Sequence, residues 1–210
     1  MKGLFITIEG NDGSGKSTVI QSLKEELAKL DVEVCYSREP GGSYVAEKIR
    51  EVILDTDNMA MDDKTEALLY AASRRQHLKE TVFPALEEGK IVVCDRFIDS
   101  SLTYQGIARG LGVDEVYNMN MFATEGFMPH LTIYLLVDPK IGLERKSHQK
   151  ELDRLEKEKL EFHEKVYQGY LMLADRFKDR VRVVDGNVSI QEECKAVNDI
   201  ILSFIKERGF

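Results

Sequence analysis

The chain has 210 residues, 43% of them hydrophobic, and a formal net charge of −8. This length predicts one domain, residues 1–210, and the acidic balance argues against a general nucleic-acid binder, which usually carries a basic excess. The apolar run 4–8 is too short for a signal peptide or a membrane span, so no membrane partner is expected. Three well-separated cysteines, Cys35, Cys94 and Cys194, lack metal-ligand spacing and indicate reduced thiols in a cytoplasmic protein.

Short apolar segments alternate with helical patterns along the chain. The predicted strands are residues 5–8, 32–37, 91–94, 131–137 and 181–184. The predicted helices are residues 18–30, 43–54, 64–88 with a break near Pro84, 100–108, 113–124, 139–173 and 190–207. This alternation is typical of βα units and predicts an α/β fold with a five-stranded parallel sheet and helices on both faces. Ligands of such sheets bind beyond the carboxyl ends of the strands.

A glycine-rich stretch follows the first predicted strand and leads into the first predicted helix at Thr18. It reads Gly10-Asn11-Asp12-Gly13-Ser14-Gly15-Lys16-Ser17 and fits the phosphate-loop pattern of Gly, four residues, Gly, Lys, then Ser or Thr. The loop N–H groups are expected to cradle phosphates, with Lys16 on the outer phosphates and Ser17 on a magnesium ion. A chance glycine-rich turn is the alternative, but the flanking strand and helix favour a nucleotide site in a three-layer P-loop NTPase fold.

Charged residues follow the ends of other predicted strands. Asp95 ends an apolar strand, where an acidic residue would orient the magnesium ion; its alternative role is a helix cap or a partner of Arg96. A kinase with a phosphorylated acceptor needs cations that offset the repulsion between two anionic groups. Four arginines in the first half are candidates: Arg38, Arg50, Arg74 and Arg96. Arg38 and Arg96 follow strand ends and are favoured, although each arginine could instead form a surface ion pair.

Two further regions carry candidate functional residues. Residues 144–165 are dense in both charge signs, which is typical of a solvated helix face. The alternative is a lid, approximately residues 143–156, that closes over the nucleotide and supplies a cation such as Arg145, since the phosphate loop itself brings only Lys16. A base pocket could be formed by Tyr70, Phe97, Tyr104 and Gln105, although aromatic residues at helical spacing are usually core.

These stretches together resemble bacterial thymidylate kinase over most of the chain. The resemblance is carried by residues 5–10, by Arg38-Glu39-Pro40-Gly41-Gly42, by residues 65–75, by Asp95-Arg96-Phe97-Ile98-Asp99-Ser100-Ser101, by residues 104–110 and by Asp153-Arg154-Leu155-Glu156. The family implies ATP-dependent phosphorylation of dTMP to dTDP, a step in dTTP synthesis, with Mg²⁺, in a homodimer of the nucleoside-monophosphate-kinase fold.

The resemblance also implies roles for residues in the acceptor site. Asp12 would bind the sugar 3′-hydroxyl, and Tyr104 would lie against the sugar. Arg38 and Arg96 would hold the dTMP phosphate with Arg50 near it, Tyr70 would stack on thymine, Arg74 would bond a base carbonyl, and Ser101 and Gln105 would complete the base edge. The Glu39–Pro40 peptide bond is expected to be cis.

The sequence departs from the family pattern at two places. Phe97 stands where Tyr is usual, and the lid carries few basic residues before Asp153: only Arg145, Lys146 and Lys150. These departures leave open which of them, or Arg154, reaches the phosphates. The alternatives are another P-loop nucleotide or deoxynucleoside kinase, a catalytically weak nucleotide-binding paralogue, and an NTPase switch. The acceptor consumed with ATP would separate these functions.

Overall fold

The computed structural model describes residues 2–147 and 153–210, apart from the side chain of Ser147. Its sheet contains the strands β1 (Leu4–Gly10), β2 (Val34–Arg38), β3 (Ile91–Asp95), β4 (Leu131–Leu136) and β5 (Val181–Asp185). The strand order is β2-β3-β1-β4-β5, and every pairing is parallel. The five-stranded parallel sheet predicted from the sequence is therefore confirmed.

The helices surround this sheet. They are α1 (Lys16–Leu27), α2 (Tyr44–Leu54), α3 (Asp63–His77), α4 (Phe83–Glu87), α5 (Ile98–Ser101), α6 (Val113–Thr124), α7 (Pro139–Ser147), α8 (Leu160–Arg176) and α9 (Ile190–Glu207). Leu78–Val82 and Leu102–Ala108 are π-helical, and Thr56–Asn58 form a 3₁₀ turn. Among the described residues, no helix is both long and apolar enough to cross a membrane.

Two hydrophobic layers enclose the central strand β1, which is buried at every position. Ile6 and Ile8 face a core built with α1 and α9, which includes Leu23 and Ile201. Phe5 faces the opposite core, which includes Phe97 and Tyr170. Because side chains alternate across a strand, Glu9 belongs to the same face as Phe5, and its carboxylate is fully buried.

The strand register brings the charged strand ends to one edge of the sheet. Arg38 at the end of β2 is paired with Asp95 at the end of β3, and Ile8 of β1 is paired with Asp95 on the other side. Gly10, which ends β1, is paired with Leu135 of β4. The phosphate loop, Asp95 and Arg96 therefore meet beyond the carboxyl ends of neighbouring strands.

Two helix predictions were wrong in detail. The backbone stays helical from Asp63 to Glu87, and its irregularity is the π segment before Pro84, where the Phe83 N–H donates to the Leu78 carbonyl. Pro84 itself lies in the first turn of α4, where its missing N–H is tolerated.

The predicted helix 139–173 is not continuous. It ends as α7 at Ser147 and resumes as α8 at Leu160. Between them, the Asp153 carboxylate accepts hydrogen bonds from the N–H groups of Leu155 and Glu156, 2.9 Å each, and this turn competes with helix. Residues 148–152, which belong to the predicted lid and include Lys150, lie outside the described residues.

Candidate active site

The phosphate loop is held by glycines and by one asparagine. Gly10 and Gly13 have positive φ, and a Cβ on Gly13 would lie 2.1 Å from the Gly142 carbonyl oxygen of α7. The Asn11 amide donates to the Val137 carbonyl at 2.9 Å and accepts from the Val137 N–H at 3.1 Å. The loop is thereby tied to the end of β4 and leads into α1 at Lys16, whose N-terminus favours anions.

Lys16 extends back across the loop. Its Nζ donates to the carbonyl oxygens of Gly10 and Asn11, 3.0 Å each. Burial and the nearby Arg96 guanidinium lower the pKa of Lys16 to about 8. Phosphate oxygens bound beside Lys16 would raise its pKa again, because they would stabilise the ammonium charge that the present surroundings disfavour.

A cleft of about 530 Å³ opens beside the loop at the carboxyl edge of the sheet. Most of its lining residues are charged or belong to the phosphate loop and the first turn of α1: Asp12, Gly13, Ser14, Gly15, Lys16, Ser17, Thr18, Arg38, Glu39, Arg50, Asp95, Arg96, Arg145, Lys146, Asp153, Glu156, Ile190 and Glu193. The structure therefore brings residues 12–18 of the predicted donor site together with the three arginines predicted for the acceptor phosphate, Arg38, Arg50 and Arg96.

A divalent ion fits the chemistry of this cleft at one point. Asp95 Oδ1 is buried and has no hydrogen-bond partner, and Ser17 lines the same cleft. Among the described residues, no group of three or more His, Cys, Asp or Glu side chains could hold a metal alone. A magnesium ion here would therefore need phosphate oxygens as additional ligands.

Arg96 and Asp12 form the centre of the cleft. Arg96 Nη2 lies 2.6 Å from Asp12 Oδ1, and its Nη1 donates to the Gly10 carbonyl at 3.0 Å. The Tyr104 hydroxyl donates to Asp12 Oδ2 at 2.9 Å. Burial opposes the Asp12 charge, but Arg96 and Lys16 outweigh it, so the pKa of Asp12 lies below its usual value. Arg96 has φ of 69°, an uncommon backbone conformation that aims its side chain at the loop.

Two more guanidinium groups face the cleft from β2 and α2. Arg38 pairs with Glu47 at 3.0 Å, and Arg50 donates to the Pro40 carbonyl at 2.8 Å. Burial and the nearby Arg38 lower the pKa of Arg50. This mutual repulsion would be relieved by an anion bound between them. The Glu39–Pro40 bond that shapes this turn is cis, as predicted.

A smaller cavity of about 90 Å³ continues from the cleft between α3 and the π segment Leu102–Ala108. Its lining residues include two of the predicted base-contacting side chains, Tyr70 and Gln105, together with Leu155. Arg74 is only 1% exposed and lies behind this wall. It pairs with Glu39 at 2.7 Å and donates to the Ser101 hydroxyl at 3.0 Å.

Three residues predicted for the base site are buried and do not line the smaller cavity: Arg74, Phe97 and Ser101. Besides Glu39 and Ser101, Arg74 donates to the Phe97 carbonyl at 2.9 Å and to Asn120. Phe97 is fully buried in the core, and its ring lies below the Arg74 guanidinium. Ser101 is buried as well.

The basic residues of the lid region make different contacts. Arg145 donates to the carbonyls of Gly13 and Gly186, at 3.2 and 3.3 Å, and lines the cleft. Lys146 lines it too and pairs with Glu156 at 2.5 Å. Arg154 is buried and pairs with Glu66 at 2.5 Å, away from the phosphate loop. Arg145 therefore contacts the loop backbone directly, which favours it as the lid cation.

Sequence reasoning assigned no role to two buried carboxyl groups beside the site. Glu9 accepts from the Phe97 N–H at 2.7 Å and from the Tyr170 hydroxyl at 3.0 Å, and burial together with Asp99 raises the pKa of Glu9 to about 7. Glu193 of α9 faces Gly15, and burial raises its pKa to about 7. The position of Glu9 in an apolar strand could have predicted its burial. The sequence around Glu193 gives no such signal, because acidic residues are common in the first turn of a helix.

Comparison with known proteins gives a consistent result. The family model for thymidylate kinase matches residues 8–197. A thymidylate kinase of Bacillus licheniformis is 54% identical over 209 residues, covering 99% of both chains, and one of Geobacillus sp. is 55% identical, covering 91% of this chain and 92% of the relative. The crystal structure of thymidylate kinase from Ehrlichia chaffeensis matches with a TM-score of 0.78 and 29% identity, covering 96% of this chain and 99% of that one.

Proposed function

The chain belongs to the thymidylate kinase family, and we propose that its cleft transfers the γ-phosphoryl group of ATP to dTMP through the residues assigned below. One observation carries the assignment: the phosphate-loop Lys16 and the acceptor-side arginines Arg38, Arg50 and Arg96 line the same cleft. A site for two phosphorylated substrates needs cations at both ends of the transfer.

The donor end binds ATP through the loop. The N–H groups of residues 10–18 surround the β- and γ-phosphates, and Lys16 donates to their outer oxygens. Arg145 is the lid cation that meets charge on the transferred group, since it already reaches across the loop to Gly13. Ser17 and Asp95 would hold Mg²⁺ together with the ATP phosphates, and the ion would supply positive charge that offsets the phosphate charge.

The acceptor end positions the dTMP phosphate. Arg38, Arg50 and Arg96 hold it so that one of its oxygens is in line with the γ-phosphorus. That oxygen forms the new P–O bond while the bond to the ADP oxygen breaks, so dTDP and ADP are the products. A phosphate oxygen is already deprotonated at neutral pH, so no general base is required, and catalysis is positioning and electrostatics.

The nucleoside of dTMP extends into the smaller cavity. Asp12 and Tyr104 are close enough to each other, 2.9 Å, to bind the sugar together. Tyr70 stacks on thymine and Gln105 meets its edge, both lining the cavity. Arg74 and Ser101 act from behind the wall, where Arg74 supports Ser101 through a 3.0 Å hydrogen bond.

A homodimer formed through the outer face of α2, α3 and α6 is part of the proposal. These helices pack against one another and expose large apolar side chains: Tyr44, Val52, Leu68 and Phe122. Phe122 is 89% exposed, and several exposed apolar side chains on adjacent helices are typical of a protein–protein interface. We also propose that the activity depends on magnesium, that residues 1–210 form a single domain with a lid, and that the enzyme is cytoplasmic.

An ADP-release assay with ATP and Mg²⁺ tests the function. We expect dTMP to be strongly preferred over dCMP, dGMP, AMP and thymidine. Discrimination against dUMP, which lacks one methyl group, is limited to about 1–3 kcal/mol. Efficient use of thymidine would favour a deoxynucleoside kinase, and ATP hydrolysis that is independent of any acceptor would favour an NTPase switch. Tight dTMP and ATP binding without turnover would favour a catalytically weak paralogue. Arg182 is exposed and does not line the cleft, so Arg182→Ala is the control variant and should keep the activity with dTMP.

A further inference from the structure

A buried carboxylate, that of Glu66 on α3, lies behind the smaller cavity lined by Tyr70 and Gln105, which we call the base cavity. Its side chain is completely buried, and three side chains share its two oxygens. The Gln105 amide donates to Oε1 at 2.7 Å. Arg154 and Arg109 donate to Oε2 at 2.5 and 3.3 Å. Glu66 therefore links the base cavity to the two arginines behind it.

The two arginines determine what Glu66 can do. Each is held by a second contact: Arg154 Nε donates to the Ile53 carbonyl at 3.0 Å, and Arg109 Nη1 donates to Glu158 at 2.6 Å. A carboxylate between two guanidinium groups is an acceptor only. Glu66 consequently requires a donor on its other side, and that donor is the NH₂ group of Gln105.

This requirement fixes the orientation of the Gln105 amide. Turning the amide by 180° would place its carbonyl oxygen against the Glu66 carboxylate, with no proton between two acceptors. With one N–H committed to Glu66, Gln105 retains one acceptor and one donor on a group that lines the base cavity. These match the N3–H and a neighbouring carbonyl of thymine. Cytosine presents an acceptor at N3 and an amine at C4, and would need the turned amide.

We propose that Glu66 is a specificity-determining positioning residue, which makes the acceptor cavity select thymine over cytosine by fixing the Gln105 amide. The inference rests on the proposed function, because it assumes that Gln105 meets the base of dTMP. A site that hydrogen-bonds one base edge leaves its own polar groups unpaired against the wrong edge, which gives strong discrimination.

The substitution Glu66→Gln tests the proposal with almost no change in shape. Arg109 and Arg154 would hold the oxygen of the new amide, so its NH₂ group would face Gln105 and turn the Gln105 amide. We expect kcat/KM for dTMP to fall about 10–100-fold, chiefly through KM, and the preference for dTMP over dCMP to fall by at least about tenfold. Glu66→Asp keeps an acceptor-only carboxylate, so it should retain the preference even if KM rises.

Two controls keep the test decisive. Asp114→Asn removes an exposed carboxylate paired with Arg176 at 2.8 Å and should change neither parameter. If Glu66→Gln fails to fold, the double variant Glu66→Gln with Arg154→Gln removes the unpaired buried guanidinium and permits the same comparison.

The outcomes separate the two proposals. A wild-type enzyme that does not phosphorylate dTMP would overturn the proposed function. A wild-type enzyme that strongly prefers dTMP, with the same dTMP-to-dCMP preference in a folded Glu66→Gln variant or its double variant, would overturn the role of Glu66 alone. A general loss of thermal stability without a change in preference would likewise mark Glu66 as structural only.

Discussion

The two ends of the cleft are built in different ways. The proposed donor end is one continuous stretch, residues 10–18, of which residues 12–18 line the cleft. The acceptor end is assembled from β2, α2, α3, β3 and the π segment Leu102–Ala108, and its side chains are held by buried ion pairs such as Arg74–Glu39. The difference predicts that mutations at the donor end mainly affect turnover, whereas mutations at the acceptor end also affect folding and substrate choice.

The largest effect is expected for Arg74→Ala at the acceptor end. It would leave the buried Glu39 without its guanidinium partner, while His77 alone remains 2.9 Å from the Glu39 carboxylate. We expect a loss of about 3–5 kcal/mol in the free energy of unfolding, measured by urea denaturation, together with weakened dTMP binding. A variant with normal stability would show that Arg74 acts on the base alone. It would contradict the claim that mutations at the acceptor end also affect folding.

Lys16→Ala should affect turnover at the donor end. Lys16 contacts only loop atoms in its described hydrogen bonds, so the fold should tolerate its loss. We expect kcat to fall about 10²–10³-fold, as for other groups that stabilise transition-state charge, while dTMP affinity changes little. Steady-state kinetics and dTMP titration measure both quantities. An equally large loss of dTMP affinity would contradict the separation of the two ends.

Arg145→Ala tests the lid cation. Removing one charge-assisted contact to the transferred group should lower kcat about 10–100-fold, and Arg145→Lys should recover part of it. Since Arg145 is bound only to carbonyl oxygens in its described hydrogen bonds, thermal stability should hardly change. Unchanged kcat in Arg145→Ala would assign the role to another cation of the lid region.

The smallest effect is expected in the pH dependence of KM for ATP, which reports the charge of Lys16. Because the pKa of Lys16 is lowered to about 8 in the free protein, its charge is present below pH 8 and is lost as the pH rises through that value. ATP binding then requires reprotonation, so KM for ATP should rise above pH 8, by up to about tenfold per pH unit. Lys16→Met should remove this dependence. A flat wild-type profile between pH 7 and 9.5 would show that Lys16 stays charged in the free site.

Local signals in the sequence predicted the sheet and the place of the phosphate loop in the fold. The phosphate loop, the five strands and helix α6 follow from short patterns, and α6 has the predicted bounds Val113–Thr124. The failures came from tertiary contacts. The turn at Asp153 interrupts a helical pattern through its own hydrogen bonds, and a π segment places the helix irregularity before Pro84.

The acceptor end could be predicted only in part. The resemblance named Arg74 and Gln105, but it did not show that Arg74 is buried on Glu39 or that Gln105 is held by Glu66. Both acidic partners lie far from these residues in sequence, and acidic residues are normally exposed. Pairings of this kind depend on how α3 packs against its neighbours, which no local pattern reports.

The most direct test of the account is transfer of label from [γ-³²P]ATP, with dTMP or thymidine as acceptor and the products separated. The proposal of two phosphate-binding ends in one cleft predicts label in dTDP, at a rate at least about 10³-fold higher than in any product of thymidine. Thymidine lacks the phosphate that we propose the three cleft arginines hold. Label that appears only in inorganic phosphate, or equally in a product of thymidine, would contradict it.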